Sequence, residues 1–271
     1  MNPMDLYEYR TVDDMEFPVQ LSVNDHAMRG CYFAPHWHEH IEMHYILEGH
    51  TTLMAGQKEI LAGKGDLVVI NSNELHAGFG DGTHFRARVI IFNLEDFSKE
   101  LASQNPVFES VIKNDKTVEE IMAVIEKEVK ERREGFQLVC KGEIYRLIIQ
   151  LMRGHVVEKL TDQESEKRKK RLERMNTAVE YIQKNYTRQI TNAQLAKMVH
   201  LSEDRFNHLF KECIGKAPLQ YITELRLKRA MNLIRLKESP ISEIALSVGF
   251  TDYNSFRRQF IRMYGCSPSK I

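Results

Sequence analysis

The spacing of apolar residues indicates strands in the first third of the chain. Apolar runs at 42–47, 66–70 and 86–92 are short, and glycine, asparagine and aspartate separate them. Short runs divided by such turn residues are typical of an antiparallel sandwich or barrel. We therefore expect a β-barrel over about residues 15–95.

From about residue 117 the apolar period becomes that of an amphipathic helix. Two stripes follow one another at this spacing: Ile121, Val124, Ile125 and Val129, then Ile144, Leu147, Ile148 and Leu151. They predict two helices over about 117–160 that pack on the barrel or on each other.

The C-terminal part reads as helical throughout and contains a repeat with an offset of 50 residues. Phe206-x3-Phe210 followed by Gly215-x2-Pro218 recurs as Phe256-x3-Phe260 followed by Gly265-x2-Pro268. A short apolar helix precedes each copy, and the order short helix, turn, second helix is typical of a helix-turn-helix. We predict an all-α domain at 175–271 with two such motifs.

Charge divides the chain into two halves although the formal net charge is zero. Residues 166–271 hold 21 Lys and Arg against 10 Asp and Glu, whereas residues 1–165 hold 17 against 28. A basic half suits a polyanion and an acidic half suits another task. The charged run at 164–174 is predicted to be an interdomain linker, with direct phosphate contact as the alternative.

Other sequence features bear on the compartment. The four cysteines are far apart and form no CxxC pair, which argues against a disulfide or zinc framework and fits a reducing compartment. Residues 1–5 lack the features of a signal peptide, and no apolar run approaches the ~18 residues of a membrane span. We expect a soluble, cytoplasmic protein with no membrane partner.

Helical phase identifies the predicted DNA-reading side chains. Because the repeated phenylalanines must face the core, the outward positions are Asp204, Arg205, Asn207, His208, Lys211, Tyr253, Asn254, Arg257 and Arg258. Arg binds guanine and Asn binds adenine through paired hydrogen bonds, so Arg258 and Asn254 are the strongest predicted base readers. Asn207 and His208 follow them, and Asp204 is expected to cap its helix.

The connector between the two motifs has a length that suits successive major grooves. A helix over 218–236 has about 19 residues and spans roughly 28 Å. Successive major grooves on one face of a duplex lie about 34 Å apart. One chain is therefore expected to place both recognition helices on one face of the DNA.

These motifs resemble the AraC/XylS family of bacterial transcription regulators. The resemblance rests on Ile241-x2-Ile244-Ala245-x2-Val248-Gly249-Phe250, on Phe256-Arg257-Arg258-x-Phe260 and on Gly265-x-Ser267-Pro268. It implies a non-enzymatic regulator that binds a double-stranded DNA operator, pairs as a homodimer and recruits RNA polymerase as an activator. Members often have Tyr and Arg after the last Ser-Pro, whereas this chain has Ser269-Lys270-Ile271.

A second motif lies in the N-terminal half. His36-x-His38-x3-Glu42, followed by Gly65-Asp66 and later His76, resembles the two motifs of the cupin superfamily, whose His and Glu residues converge on a metal. An extended strand over 36–44 would turn every second residue, from His36 to His44, to one face. We therefore predict a cupin-like effector-binding and dimerisation domain at 1–163, in an α+β two-domain protein.

The chemistry of this motif leaves several interpretations open. The first is a pocket for a small polar effector such as a sugar, lined by His36, Trp37, His38, Glu42, His44, His76 and Arg88, although Arg88 also fits a surface charge. The second is a divalent metal on His36, His38, Glu42 and His76, in a metal-binding cupin sensor or a cupin enzyme fused to the DNA-binding part. The third is a structural polar cluster. No obligatory cofactor is expected.

Overall fold

The computed structural model describes residues 6–10, 14, 16–237 and 239–271. Residues 1–5, on which the expectation about a signal peptide rests, lie outside this set. The described chain divides into two compact units, Leu6–Leu172 and Glu173–Ile271.

The first unit confirms the predicted β-structure. It opens with eight strands: β1 (Val19–His26), β2 (Arg29–His36), β3 (Ile41–Glu48), β4 (His50–Ala55), β5 (Lys58–Gly63), β6 (Leu67–Ile70), β7 (His76–Asp81) and β8 (Phe85–Phe92). Three shorter strands follow: β9 (Pro106–Phe108), β10 (Val111–Ile112) and β11 (Val156–Lys159).

The strands form two main antiparallel sheets, as expected for a cupin-like barrel. One has the order β1-β8-β3-β6-β10 and the other β2-β7-β4-β5, while β9 pairs with β11. Apolar residues of both sheets, among them Ile46, Leu53 and Phe85, form one buried cluster between them. The interior of the barrel is therefore apolar where β3, β4 and β8 meet.

The other face of the five-stranded sheet is covered by helices. They are α1 (Leu94–Phe97), α2 (Lys99–Ala102), α3 (Lys116–Glu131) and α4 (Phe136–Gly154). Ile121 and Ile125 of α3 and the whole predicted stripe of α4 are buried with sheet residues such as Met43 and Ile90. The predicted helices thus pack on the barrel and on each other.

The charged run at 164–174, predicted to be an interdomain linker, lies within a helix, α5 (Asp162–Asn185). Lys, Arg and Glu are good helix formers, and no glycine or proline interrupts the run. An ion pair between Lys170 and Glu166, 3.0 Å apart at i,i+4, adds to it. The division between the two units falls after Leu172, within this helix.

The second unit is all-α. Its further helices are α6 (Asn192–Met198), α7 (Glu203–Ile214), α8 (Pro218–Leu236), α9 (Ile241–Ser247) and α10 (Tyr253–Tyr264), followed by a 3-10 turn at Pro268–Lys270. Thr191 caps α6 in a capping box, and Ser202 caps α7. The N-cap position of α9 is Pro240, so this helix has no side-chain cap.

Two glycines that follow helices provide a matched test of packing. Gly249 and Gly215 both have positive φ, at 97° and 79°. A Cβ on Gly249 would lie 2.7 Å from the carbonyl oxygen of Thr187, whereas one on Gly215 would meet nothing within 4 Å. Gly215→Ala should lower the free energy of unfolding by ~1 kcal/mol, because a positive φ is unfavourable for alanine. Gly249→Ala should cost about 1–3 kcal/mol more because of overpacking.

Urea unfolding of the two variants measures this difference. Equal free energies of unfolding would show that the Thr187 backbone accommodates the added methyl group.

Candidate nucleic-acid interface and histidine cluster

Helices α7 and α10 each have one buried and one exposed face. Phe206 and Phe210 of α7 and Phe256 and Phe260 of α10 are fully buried. The remaining predicted DNA contacts, apart from Asn207, are exposed: Asp204, Arg205, His208, Lys211, Tyr253, Asn254, Arg257 and Arg258. The structure therefore exposes Arg on both helices, Lys on α7 and Asn on α10.

Two residues of α7 differ from the expectation. Asp204 does not cap the helix, since the Oγ atom of Ser202 accepts the hydrogen bond from the Arg205 backbone N–H at 3.3 Å. Asp204 instead lies exposed in the first turn, where its carboxylate interacts favourably with the helix dipole. Asn207 is half-buried, and its Oδ1 has no hydrogen-bond partner among the described residues.

The histidine cluster forms where three strands meet. His36 ends β2, Glu42 lies on β3, His76 begins β7 and His38 lies in the segment between β2 and β3. One ligand atom from each residue lies within 4.8 Å of every other. The predicted convergence is thus present, but residues 36–44 are not one strand, because residues 37–40 cross from the four-stranded to the five-stranded sheet.

Each histidine of the cluster turns the same nitrogen away from the centre. The Nδ1 atoms of His36, His38 and His76 lie 2.9, 3.1 and 2.8 Å from backbone carbonyl oxygens of Ala34, His40 and Glu74, respectively. A carbonyl oxygen only accepts, so each Nδ1 carries the proton and donates it. The Nε2 atoms then face the centre of the cluster.

Glu42 is the carboxylate among the four cluster residues, and it is 4% exposed. Burial would raise its pKa, but the hydrogen bonds to His38 and His44, with His76 close by, hold the pKa well below its ordinary value. Burial lowers the pKa of His76 to about 4, against the attraction of Glu42. The centre therefore combines a carboxylate anion with a neutral imidazole whose Nε2 lies 3.6 Å from it.

The structure does not bring all the predicted effector residues to this centre. His44 does lie there, with Nε2 2.7 Å from Oε1 of Glu42. Trp37 is buried, with its ring centroid 4.7 Å from that of Tyr7. Arg88 pairs with Tyr45 in the sheet register, one position away from His44 and Val89. It therefore lies on the opposite face of the sheet from His44.

Arg88 has a structural partner on that face. Its guanidinium forms an ion pair with Glu126 of α3, and Nη1 donates to the backbone oxygen of Ser22 at 3.2 Å. The alternative prediction, that Arg88 is a surface charge, is also wrong, because Arg88 is 6% exposed. The side chain joins the sheet to α3.

Two residues at the cluster had no sequence signal. Glu8 places Oε2 3.0 Å from Nε2 of His36, and burial and this contact act on the histidine in opposite directions, with a net rise of its pKa. Arg10 contacts Glu8 and lies 3.9 Å from Glu42. Both are far from the motif in sequence and belong to no pattern, so only the fold could reveal them.

Comparison with known proteins agrees with this architecture. Residues 26–171 match the family described as AraC-like ligand binding domain, and residues 195–271 match a helix-turn-helix domain. The chain is a DNA-binding transcription regulator with a ligand-binding domain. It belongs to the AraC family.

Relatives of similar length are transcription regulators. A probable transcriptional regulator, LumQ, of Photobacterium leiognathi is 26% identical over 87% of this chain and 90% of its own. The Msm operon regulatory protein of Streptococcus mutans is 22% identical over 100% and 98%. The lactose operon transcription activator of Staphylococcus xylosus is 32% identical over 34% of this chain and 33% of its own.

Within the part of the chain that the structure describes, no helix is long and apolar enough to cross a bilayer.

Base reading by α10 can be separated from phosphate contact by α7. Arg258→Ala and Asn254→Ala should each lose ~1–3 kcal/mol of discrimination at particular base pairs. Lys211→Ala should weaken binding to all duplexes alike and reduce the salt dependence, since a lysine on phosphate carries no sequence information.

Binding titrations on single-base variants of a selected duplex, at two salt concentrations, measure both effects. An Arg258→Ala protein with the base preference of the wild type would show that another face of α10 meets the bases.

Proposed function

We propose that the protein is a sequence-specific regulator that binds a double-stranded DNA operator and responds to a small polar effector, such as a sugar. The observation that carries the proposal is the pair of helices α7 and α10. Each buries two phenylalanines and exposes basic side chains, and α10 also exposes the amide of Asn254. The ligand-binding match over 26–171 supports an effector in the first unit. The lactose operon relative supports the choice of a sugar.

Activation and pairing belong to the same proposal. The relative from Staphylococcus xylosus is named as an activator, which favours recruitment of RNA polymerase. For pairing, α4 leaves Leu138, Tyr145 and Ile149 exposed by 73%, 42% and 38%. Their spacing of seven and four residues puts them on one stripe, opposite the stripe buried on α3 and the sheet. A homodimer would cover this stripe with its own copy.

The test begins with an operator selected from random DNA. The full-length protein should bind the selected duplex at least ~10³-fold more tightly than a shuffled duplex at matched salt. A cognate sugar should change that affinity by about fivefold or more, because it must stabilise one DNA-binding state over another. Fluorescence anisotropy measures both affinities.

Transcription with purified RNA polymerase measures the output. Equal affinity for selected and shuffled duplexes would reduce the protein to a non-specific DNA binder. A sugar-independent affinity and output would remove the effector from the proposal.

The histidine cluster favours a second function, which is binding of a divalent transition metal in the sensor. Three imidazoles and one carboxylate form a donor set suited to zinc, iron, manganese or nickel. Bonds of ~2.0–2.2 Å place the donors of one metal at most about 4.4 Å apart, and the donors here lie within 4.8 Å.

The hydrogen bonds around the cluster support this fit. Metal-bound histidines usually donate their other ring N–H to a carbonyl or carboxylate, and all three Nδ1 atoms do so here. Nε2 of His76 is buried and has no hydrogen-bond partner among the described residues. A cation at the centre would use this lone pair and the Glu42 carboxylate, whereas Glu8 competes for His36.

A metal there would supply a Lewis acid, and Glu42 and the histidines would hold it. The sequence is compatible with two roles for such a metal, as a signal bound by a sensor or as the metal of a cupin enzyme. A sensor needs only a metal-dependent change in operator affinity, whereas an enzyme also needs turnover.

Metal content tests this second function. Full-length protein incubated with zinc, manganese, iron or nickel and then desalted should retain close to one equivalent of one of them. The double variant His38→Ala, Glu42→Ala should lose it, because half of the donor set is gone. His50→Ala is the matched control, since His50 is exposed and contacts only Asp81 among the described residues.

Elemental analysis and thermal unfolding provide the readout. Absence of retained metal in the wild type, or equal retention in the double variant, would leave the cluster as a structural hydrogen-bond network.

A further inference from the structure

A polar cavity of about 320 Å³ lies at one end of the barrel, beside the first turns of α5. The segment between β6 and β7 contributes Ser72 and Asn73, and α5 contributes Ser165 and Arg168. The rest of the polar lining consists of three amides and two carboxylates: Asn71, Asn93, Asn105, Glu39 and Glu95. None of the four cluster residues lines it, and none lines the other described cavity, which lies beside Arg88 and Glu126.

The lining defines the chemistry of an occupant. Oδ1 of Asn73 is buried and has no hydrogen-bond partner among the described residues, so it needs a donor. Hydroxyls of Ser72 and Ser165 both donate and accept. Apolar side chains such as Ile41 and Val107 form another part of the wall. Donors and acceptors beside an apolar wall suit a molecule with several hydroxyls on a carbon ring.

The charges around the cavity and its volume restrict the kind of ligand that it can hold. Of the three charged lining residues, Arg168 lies 3.6 Å from Glu74 and Glu39 lies 3.4 Å from Lys169, so these two face partners of opposite sign. The third, Glu95, is exposed in the first turn of α1. An uncharged occupant leaves these pairs intact. The volume is near the lower limit of the ~300–1,000 Å³ range of small-molecule sites, which favours a monosaccharide over a larger sugar.

The walls of this cavity connect the histidine cluster with α5. The backbone N–H of Asn73 donates to the His38 carbonyl at 2.9 Å, and Nδ1 of His76 donates to the Glu74 carbonyl at 2.8 Å. On the other side, Nε of Arg168 donates to the carbonyl of Asn73 at 3.0 Å. Segment 71–74 therefore contacts the cluster on one side and α5 on the other.

We infer that this cavity, and not the histidine cluster, is the effector site of the protein, and that its ligand is an uncharged monosaccharide. That the bound sugar acts as an effector rests on the proposed function, whereas binding of the sugar at the cavity does not. Occupation would act directly on Ser165 and Arg168 of α5, the helix that begins in the first unit and ends in the second.

The test uses the full-length protein and thermal unfolding with glucose, galactose, mannose, fructose, arabinose, xylose and rhamnose, each in turn. At least one of these should stabilise the wild type by binding the folded state. Ser165→Met should abolish that shift, because its side chain fills the cavity from α5. Gln163→Met is the matched control, since Gln163 is exposed on the same helix and does not line the cavity.

Two further variants distinguish loss of a polar contact to the sugar from simple filling of the cavity. Asn73→Gly keeps the positive φ of 55° and removes the unpartnered Oδ1, so calorimetry should show affinity at least ~10-fold weaker. His36→Ala removes a cluster residue and should leave the affinity within about twofold, because additivity holds for separate sites.

The outcomes are distinct. Stabilisation of the wild type by none of these sugars, or affinity unchanged in Ser165→Met, overturns the inference. Loss of binding in His36→Ala but not in Ser165→Met places the sugar at the cluster instead. If the sugar binds the cavity but operator affinity does not respond, the cavity stands and the proposed ligand response fails.

Discussion

The buried carboxylate of Glu42 is the constraint on which the N-terminal half depends. An unpaired charge inside a barrel is costly, so the surrounding structure must supply donors. His38 and His44 contact its two oxygens at 3.0 and 2.7 Å, and His76 lies 3.6 Å away. To do so, β3, β7 and the segment before β3 must all approach at fixed positions.

This requirement also explains the two faces of β3. Glu42 and His44 point into the barrel, and Met43 points to the buried cluster with α3 and α4. A shift of one residue in register would exchange the charged and apolar faces. The polar cluster and the helical layer therefore specify the same register from opposite sides of one sheet.

Sequence patterns predicted what depends on period and motif, and missed what depends on contact between distant segments. The strands, the stripe on α4, the cap Ser202 and the convergence of His76 with the first motif were all visible in the sequence. The partners of Arg88 were not, since alternation alone does not say which face of a strand lies inside. The charge pattern at 164–174 predicted a linker but said nothing of its helical state.

The helical state of this run bears on how a signal can leave the first unit. A flexible charged tether would hold the units together without transmitting a change in conformation. In α5, by contrast, Ser165 and Arg168 line the cavity, while Met175, Val179 and Ile182 are buried in the second unit. These residues belong to one helix, so the element that lines the cavity also supplies core residues to the DNA-binding unit.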